Sequence, residues 1–188
     1  MANKPEIIAP FLDRGAWGVQ VPHVNTAEEA AAAVDAVKYH PLGHRGIFSR
    51  NRAADYWFSG STADYVEEAN RNTLVCLMLE EVEAIKNLKE MVEVPGIDVF
   101  FIGSGVLSQS MGYPGQQTHP DVQKLMEEGV KTIKDAGCVA GVSCPDNLVP
   151  KFLDMGVQYF HGNVNTLIQT TSIAYLKEMR QWAKAAGL

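Results

Sequence analysis

The chain has 188 residues, 46% of them hydrophobic and 20% charged. These are the proportions of an ordinary soluble globular protein, and they exclude a disordered tail, a collagenous repeat and a bare coiled coil. With 16 Lys and Arg against 22 Asp and Glu, the formal charge is −6; without a clustered basic surface, nucleic acid is not an expected partner.

Length implies one domain over residues 1–188, large enough to bury a core without a disulfide or metal staple. Cys76, Cys138 and Cys144 form no CxxC pair, and a reducing cytoplasm is the expected compartment. The segment Met1–Glu6 lacks the apolar stretch of a signal peptide. The longest apolar run, Leu74–Leu79, falls far short of the ~20 residues that cross a bilayer, so no membrane partner is expected.

In chain order, Phe11-Leu12-Asp13-Arg14-Gly15 reads as a helix end stopped by glycine, followed by a strand at Trp17–Val21. Thr26 and Glu29 have the spacing of a capping box, with a helix behind them through Ala30 to Val37. The stretch His40–Ser61 has no period and holds Pro41, Gly43, Gly46 and Gly60; it reads as a long loop of the kind that carries function or meets partners. Its Arg45, Arg50 and Arg52 suit a carboxylate or phosphate, and equally a solvated loop or a subunit contact. A second strand is expected at Leu74–Leu79. Val82, Ile85, Leu88 and Val92 then place one helix over Glu81–Val92.

Gly96 precedes a strand at Val99–Ile102. The next clear helix opens at Pro120, in first-turn position after Thr118 or His119, and runs to about Ala136. Gly137 precedes a strand at Val139–Val142. A short helix at Leu148–Met155, a strand at Val157–Phe160 and a terminal helix at Thr166–Ala186 complete the chain. Four glycine-stopped passages from helix to strand imply βα units and a parallel sheet. Five such units suit part of a barrel or an open doubly wound sheet, and spacing leaves both open.

Sites in parallel α/β folds lie past the carboxyl ends of the strands. Those positions hold Pro22-His23, Glu80-Glu81, Gly103-Ser104-Gly105-Val106-Leu107-Ser108, Ser143-Cys144 and His161-Gly162-Asn163. His23, Glu80, Cys144 and His161 are types that ligate metals or move protons. Each also has a plainer reading. Glu80 and Glu81 suit a helix N-terminus, the histidines suit bonds to loop carbonyls, and Cys144 reads as a packed thiol. Gly103-Ser104-Gly105 suits an anion cradle of backbone N–H groups, but no P-loop lysine follows, so a nucleotide is not expected.

Several ordered motifs resemble the HpcH/HpaI aldolase family of class II, metal-dependent pyruvate aldolases, which are related to the citrate lyase β subunit. They include Leu12-Asp13-x-Gly15, Val21-Pro22-x-Val24-Asn25-Thr26-Ala27-Glu28-Glu29-Ala30, Tyr39-His40-Pro41-Leu42-Gly43-His44-Arg45-Gly46, Val94-Pro95-Gly96-Ile97-Asp98, Gly112-Tyr113-Pro114-Gly115-Gln116 and His119-Pro120. The resemblance covers nearly the whole chain. It implies an α/β fold, a TIM-type (β/α)8 barrel whose first three units are lacking, with five parallel strands and their helices. The family's catalytic histidine and carboxylate-binding arginine belong to the lacking part.

The resemblance also implies a divalent cation, Mg²⁺ or Mn²⁺, between a glutamate and an aspartate in a Gly-Pro-Ala-Asp-Leu-Ser loop. Glu80 matches the glutamate, but Val106 occupies the aspartate position and Met78 that of a glutamine two residues before Glu80. With one carboxylate gone, affinity for a hard cation should fall unless His23, His161 or water substitutes. Three functions follow as expectations. The first is a carbon–carbon lyase on a small 2-oxo acid, with Glu80 as ligand and Gly103, Ser104 and Gly105 against the substrate. The second is a metal-independent lyase or hydratase built on Glu80, His23 and His161. The third is a fragment or subunit whose barrel another chain completes. The unpaired edge of the first strand, together with the resemblance, implies a homo-oligomer.

Overall fold

Five short runs rich in β-branched and aromatic residues pair side by side in the computed structural model, every neighbouring pair parallel. The structure describes residues 2–48, 50–57 and 60–187; Ser49, Phe58 and Ser59, within the segment read as a long loop, lie outside this set, as do Met1 and Leu188. The strands are β1 (Gly18–Val21), β2 (Leu74–Leu79), β3 (Val99–Gly103), β4 (Ala140–Ser143) and β5 (Tyr159–Phe160), in the same order across the sheet as along the chain. Helix α1 (Pro5–Asp13) precedes β1, and α2 (Ala27–Val37) and α3 (Thr62–Asn72) connect β1 to β2. Next come α4 (Val82–Lys86) and α5 (Leu88–Met91) before β3, α6 (Ser104–Ser110) and α7 (Pro120–Asp135) before β4, and α8 (Val149–Asp154) before β5. A long helix, α9 (Val164–Ala185), follows β5.

The two faces of the sheet differ. Val19, Val21, Leu77, Leu79, Phe100, Ile102 and Val142 pack against the helices, where Ile8, Leu12, Leu88, Met126, Ile133 and Phe152 meet them in one core. The alternate residues Cys76, Val99 and Phe101 form a second cluster on the opposite face, with Met78, Val139 and Tyr159 against it. The Tyr159 hydroxyl donates to Gln20 Oε1 at 3.1 Å, although β1 and β5 are opposite edges of the sheet. Four strand spacings of about 4.8 Å would put those edges ~19 Å apart in a flat sheet, beyond the combined reach of the two side chains. The sheet is therefore an arc with its helices outside, the curvature of a barrel wall.

Several elements depart from the sequence reading. Helix α3 follows the segment read as a loop, in a stretch to which the sequence reading assigned no element, and none of its residues is buried. Its start is fixed by a capping box, with the Ser61 hydroxyl accepting from Asp64 N–H and the Asp64 carboxylate accepting from Ser61 N–H. The single helix expected over Glu81–Val92 is broken at Asn87, whose side-chain amide donates to Asn25 O at 2.9 Å. Helix α6 starts directly after β3, not some fifteen residues later; only Ser104, Leu107 and Ser108 are buried on it, too short a stripe to read as periodic. At α2, Thr26 accepts from Glu29 N–H at 3.2 Å, while the Glu29 carboxylate takes the N–H of Asn25 at 2.7 Å in place of that of Thr26. The strand expected at Val157–Phe160 shortens to its last two residues.

Because Phe100 is 1% exposed between the sheet and its helices, Phe100→Ala should cost about 3–5 kcal/mol in urea unfolding. Leu153→Ala, at a side chain 54% exposed on α8, should stay within about 0.5 kcal/mol of the parent.

Candidate functional site

Val21 ends β1, and Pro22 and His23 bulge away from the ladder before Val24 N–H returns to it, donating to Met78 O at 3.3 Å. The excursion places His23 at φ 55°, in the left-handed region that a residue with a Cβ rarely occupies. Neighbouring contacts hold it there. Its N–H donates to Glu80 Oε2 at 3.4 Å, and its ring Nδ1 lies 3.1 Å from Glu81 Oε1 and 3.9 Å from Glu80 Oε2. Strain of this kind persists only where the surroundings over-determine it, and it concentrates at functional sites.

Glu80 follows β2 and is buried, only 6% exposed. Its side chain lies over Gly103 at the end of β3: a Cβ at 103 would sit 3.0 Å from Glu80 Cγ and 3.2 Å from Oε1. Glycine at 103 thus makes room for the carboxylate, and the two ends interlock. The next residue, Ser104, is 1% exposed. Its N–H donates to Ser143 Oγ at 3.2 Å, at the end of β4, and its hydroxyl donates to Gln117 Oε1 at 3.0 Å. Gly105 is exposed and Val106 half-buried.

The structure therefore joins His23, Glu80, Glu81 and Gly103, and links Ser104 to them through the chain. His161 stands apart. It is exposed, its N–H donates to Val142 O at 3.4 Å, and its ring meets Phe101 edge-on at 6.0 Å. Among the described residues, no hydrogen bond or ion pair joins its ring to Glu80 or His23. Burial pushes the Cys144 thiol above its ordinary range, with Asp146 adding to the effect, and burial pushes Cys76 up to about 12. Cys76 is a buried thiol and Cys144 a partly buried one, and a raised pKa lowers the thiolate fraction of each.

Arg45 and Arg52 lie at the other end of the sheet. Arg45 donates from Nη2 to Asp13 Oδ1 at 2.6 Å and stacks over Tyr39, with its side chain 2% exposed. With Arg52 it lines a cavity of about 610 Å³ beside Trp17 and Thr73, the residues just before β1 and β2. Gln117 is the site residue that sequence reasoning missed. It sits in a turn-rich stretch with no periodicity, and nothing in the pattern distinguishes it from Gln116.

The two-carboxylate cation site implied by the resemblance is not assembled from these residues. Glu80 supplies one carboxylate, and the aspartate position carries the hydrocarbon side chain of Val106. Among the described residues, no three His, Cys, Asp or Glu side chains are arranged to hold a metal ion.

The family model described as HpcH/HpaI aldolase/citrate lyase matches residues 2–169. The chain belongs to that family. It is 38% identical over 159 residues to the 2-dehydro-3,6-dideoxy-6-sulfogluconate aldolase of Pseudomonas putida, covering 84% of this chain and 61% of that protein. It is 37% identical over 168 residues to the 2-keto-3-deoxy-L-rhamnonate aldolase of Klebsiella pneumoniae, covering 89% of this chain and 62% of that one. The crystal structure of an HpcH/HpaI aldolase/citrate lyase family protein from Burkholderia cenocepacia matches with a TM-score of 0.84 at 28% identity, over 95% of this chain and 71% of that chain. This HpcH/HpaI chain thus spans less than two thirds of the length of either aldolase.

Val106→Asp puts a carboxylate at the position that the family pattern gives to aspartate. Calorimetric titration with Mn²⁺ should then show at least about tenfold tighter binding to Val106→Asp than to the parent chain.

Proposed function

We propose that the protein is a carbon–carbon lyase of the aldolase type, acting on a small 2-oxo acid at the carboxyl ends of β1–β3. The observation that carries this reading is the buried Glu80 carboxylate seated over Gly103, at the strand ends where this family's chemistry is expected. In such a cleavage a base takes the C4 hydroxyl proton of a 4-hydroxy-2-oxo acid and the C3–C4 bond breaks. The aldehyde leaves, the electron pair passes into the C2 carbonyl as an enolate, and C3 is then protonated.

We assign the proton transfer to His23. Its ring is tethered to Glu81 at 3.1 Å and stays 58% exposed, open to an incoming substrate. His161, whose ring meets Phe101 edge-on, is the second proton carrier to test. Of Gly103, Ser104 and Gly105, the exposed Gly105 forms the substrate-facing wall, where the absence of a side chain allows close approach, while Gly103 and Ser104 are buried. Val106 favours a second reading, a metal-independent lyase or hydratase on the same residues, because it removes a ligand and leaves the His23–Glu80–Glu81 cluster intact.

The test is pyruvate release from a 4-hydroxy-2-oxo acid, followed through lactate dehydrogenase with and without Mn²⁺. Glu80→Gln should lower kcat/KM by about 10²–10³-fold, and His23→Ala by a similar factor. Turnover that ignores both substitutions overturns the reading. Turnover unaffected by chelator selects the metal-independent version.

Surfaces that the fold leaves uncovered support an assembly of copies of the chain. Strands β1 and β5 each pair on one side only. Helix α9 carries Val164, Ile168, Tyr175 and Trp182 along one face, at 62%, 61%, 59% and 59% exposure. The occupant proposed for these surfaces is a second copy of the chain. Light scattering should give a multiple of 20.6 kDa, and Ile168→Asp with Trp182→Asp should shift the mass towards the monomer; a monodisperse parent monomer overturns the proposal.

A further inference from the structure

We infer that Gln117 is a substrate-binding residue that holds the carboxylate of the 2-oxo acid, donating from its side-chain amide beside Gly105; this rests on the 2-oxo acid reading of the site.

Gln117 is held at two points, one on its backbone and one on its side chain. The backbone carbonyl of Gln117 accepts from Gln123 Nε2 at 2.8 Å, and Gln123 is itself 8% exposed, with Lys151 Nζ on its Oε1 at 3.4 Å. The side-chain Oε1 accepts from the Ser104 hydroxyl at 3.0 Å. With the oxygen taken, Nε2 faces the other way, towards Gly105, where an added Cβ would lie 3.7 Å from it. A carboxamide nitrogen carries two N–H donors, and no acceptor for them occurs among the described residues. Gly105 is exposed, so the donors face an opening and not the core.

Charge sets the orientation of the ligand. Glu80 lies against Gly103 at the end of β3, and Gln117 against Gly105, two residues further along in the first turn of α6. The carboxylate of a 2-oxo acid is repelled from the Glu80 end and meets donors at the Gln117 end, which leaves its carbonyl and C3 towards Glu80 and His23. Arg45 and Arg52 cannot serve this anion, because they lie at the amino ends of β1 and β2. The pre-fixed amide spends little conformational entropy on binding.

The probe is pyruvate, titrated calorimetrically into the whole chain and its variants, with hydroxyacetone as the analogue lacking the carboxylate. Gln117→Ala should weaken pyruvate binding about tenfold while leaving hydroxyacetone unchanged, and Gln117→Glu, which sets carboxylate against carboxylate, should weaken pyruvate further. In the ¹⁵N-labelled parent chain, pyruvate should shift the Gln117 side-chain amide signals, a readout that needs no variant to fold. Equal losses for both ligands would make Gln117 a structural residue and overturn the inference. If pyruvate binds Gln117→Ala as tightly as the parent while Glu80→Gln still alters binding, the inference falls and the 2-oxo acid reading stands. A parent chain that binds no pyruvate at millimolar concentration overturns both.

Discussion

A parallel sheet has two faces to bury, and in this chain helices cover only the convex one. The concave face is closed by the sheet's own side chains, Cys76, Val99 and Phe101 with Met78, Val139 and Tyr159 against them. Curvature makes this possible, because bending brings the edge strands near enough for Tyr159 to reach Gln20. Tight approach is needed within the arc as well. A Cβ at Gly141 would come within 2.9 Å of Tyr159 Cδ1 and 3.0 Å of Phe101 Cδ2. The glycine lets two aromatic rings pack edge to face across β4, at 5.8 Å and 87°. The site stands on this floor, since Glu80, Gly103 and Ser143 come immediately after or at the end of the strands that form it.

The same constraint fixes where polar groups are tolerated. Glu80 is buried and, among the described residues, accepts from a single backbone N–H, that of a residue held in a strained conformation. A lone carboxylate in such a place is costly unless something compensates for its charge. His23 is the neighbour able to do so, through both its N–H and its ring. The strain at His23 and the burial of Glu80 are two sides of one arrangement: the bulge after β1 exists where the carboxylate needs a donor.

Much of the architecture could be read from glycines and buried runs. Gly15, Gly96, Gly137 and Gly156 all adopt positive φ before strands, as the repeated punctuation required, and Pro120 opens α7 behind His119. Two helices escaped: α3 lies on the surface with nothing buried, and α6 is too short to show a period. The site divided in the same way. Glu80 and His23 follow directly from strand ends, so position alone pointed to them. Gln117 reaches the site from thirteen residues beyond Ser104, through a side-chain bond that no local pattern encodes. His161 also follows a strand end, yet it turns towards Phe101, because position past a strand sets the end of the barrel and not the direction of the side chain.

The first turn of α6, directly after β3, departs from the family's Gly-Pro-Ala-Asp-Leu-Ser pattern at three positions, Ser104, Gly105 and Val106, and two of them act on different properties. Val106 removes a ligand. Ser104, where that pattern has proline, removes a ring that fixes φ and so should loosen the turn. The structure shows how the loosening is offset. Serine has the N–H that proline lacks, and that N–H donates to Ser143, while the hydroxyl holds Gln117. Two hydrogen bonds from a fully buried residue tie the turn to β4 and to the segment before α7, in place of one covalent restraint. Rigidity is therefore retained by a different device while the ligand set changes. That combination is expected of a site kept in order for binding, since a turn released from function has no reason to replace its lost restraint.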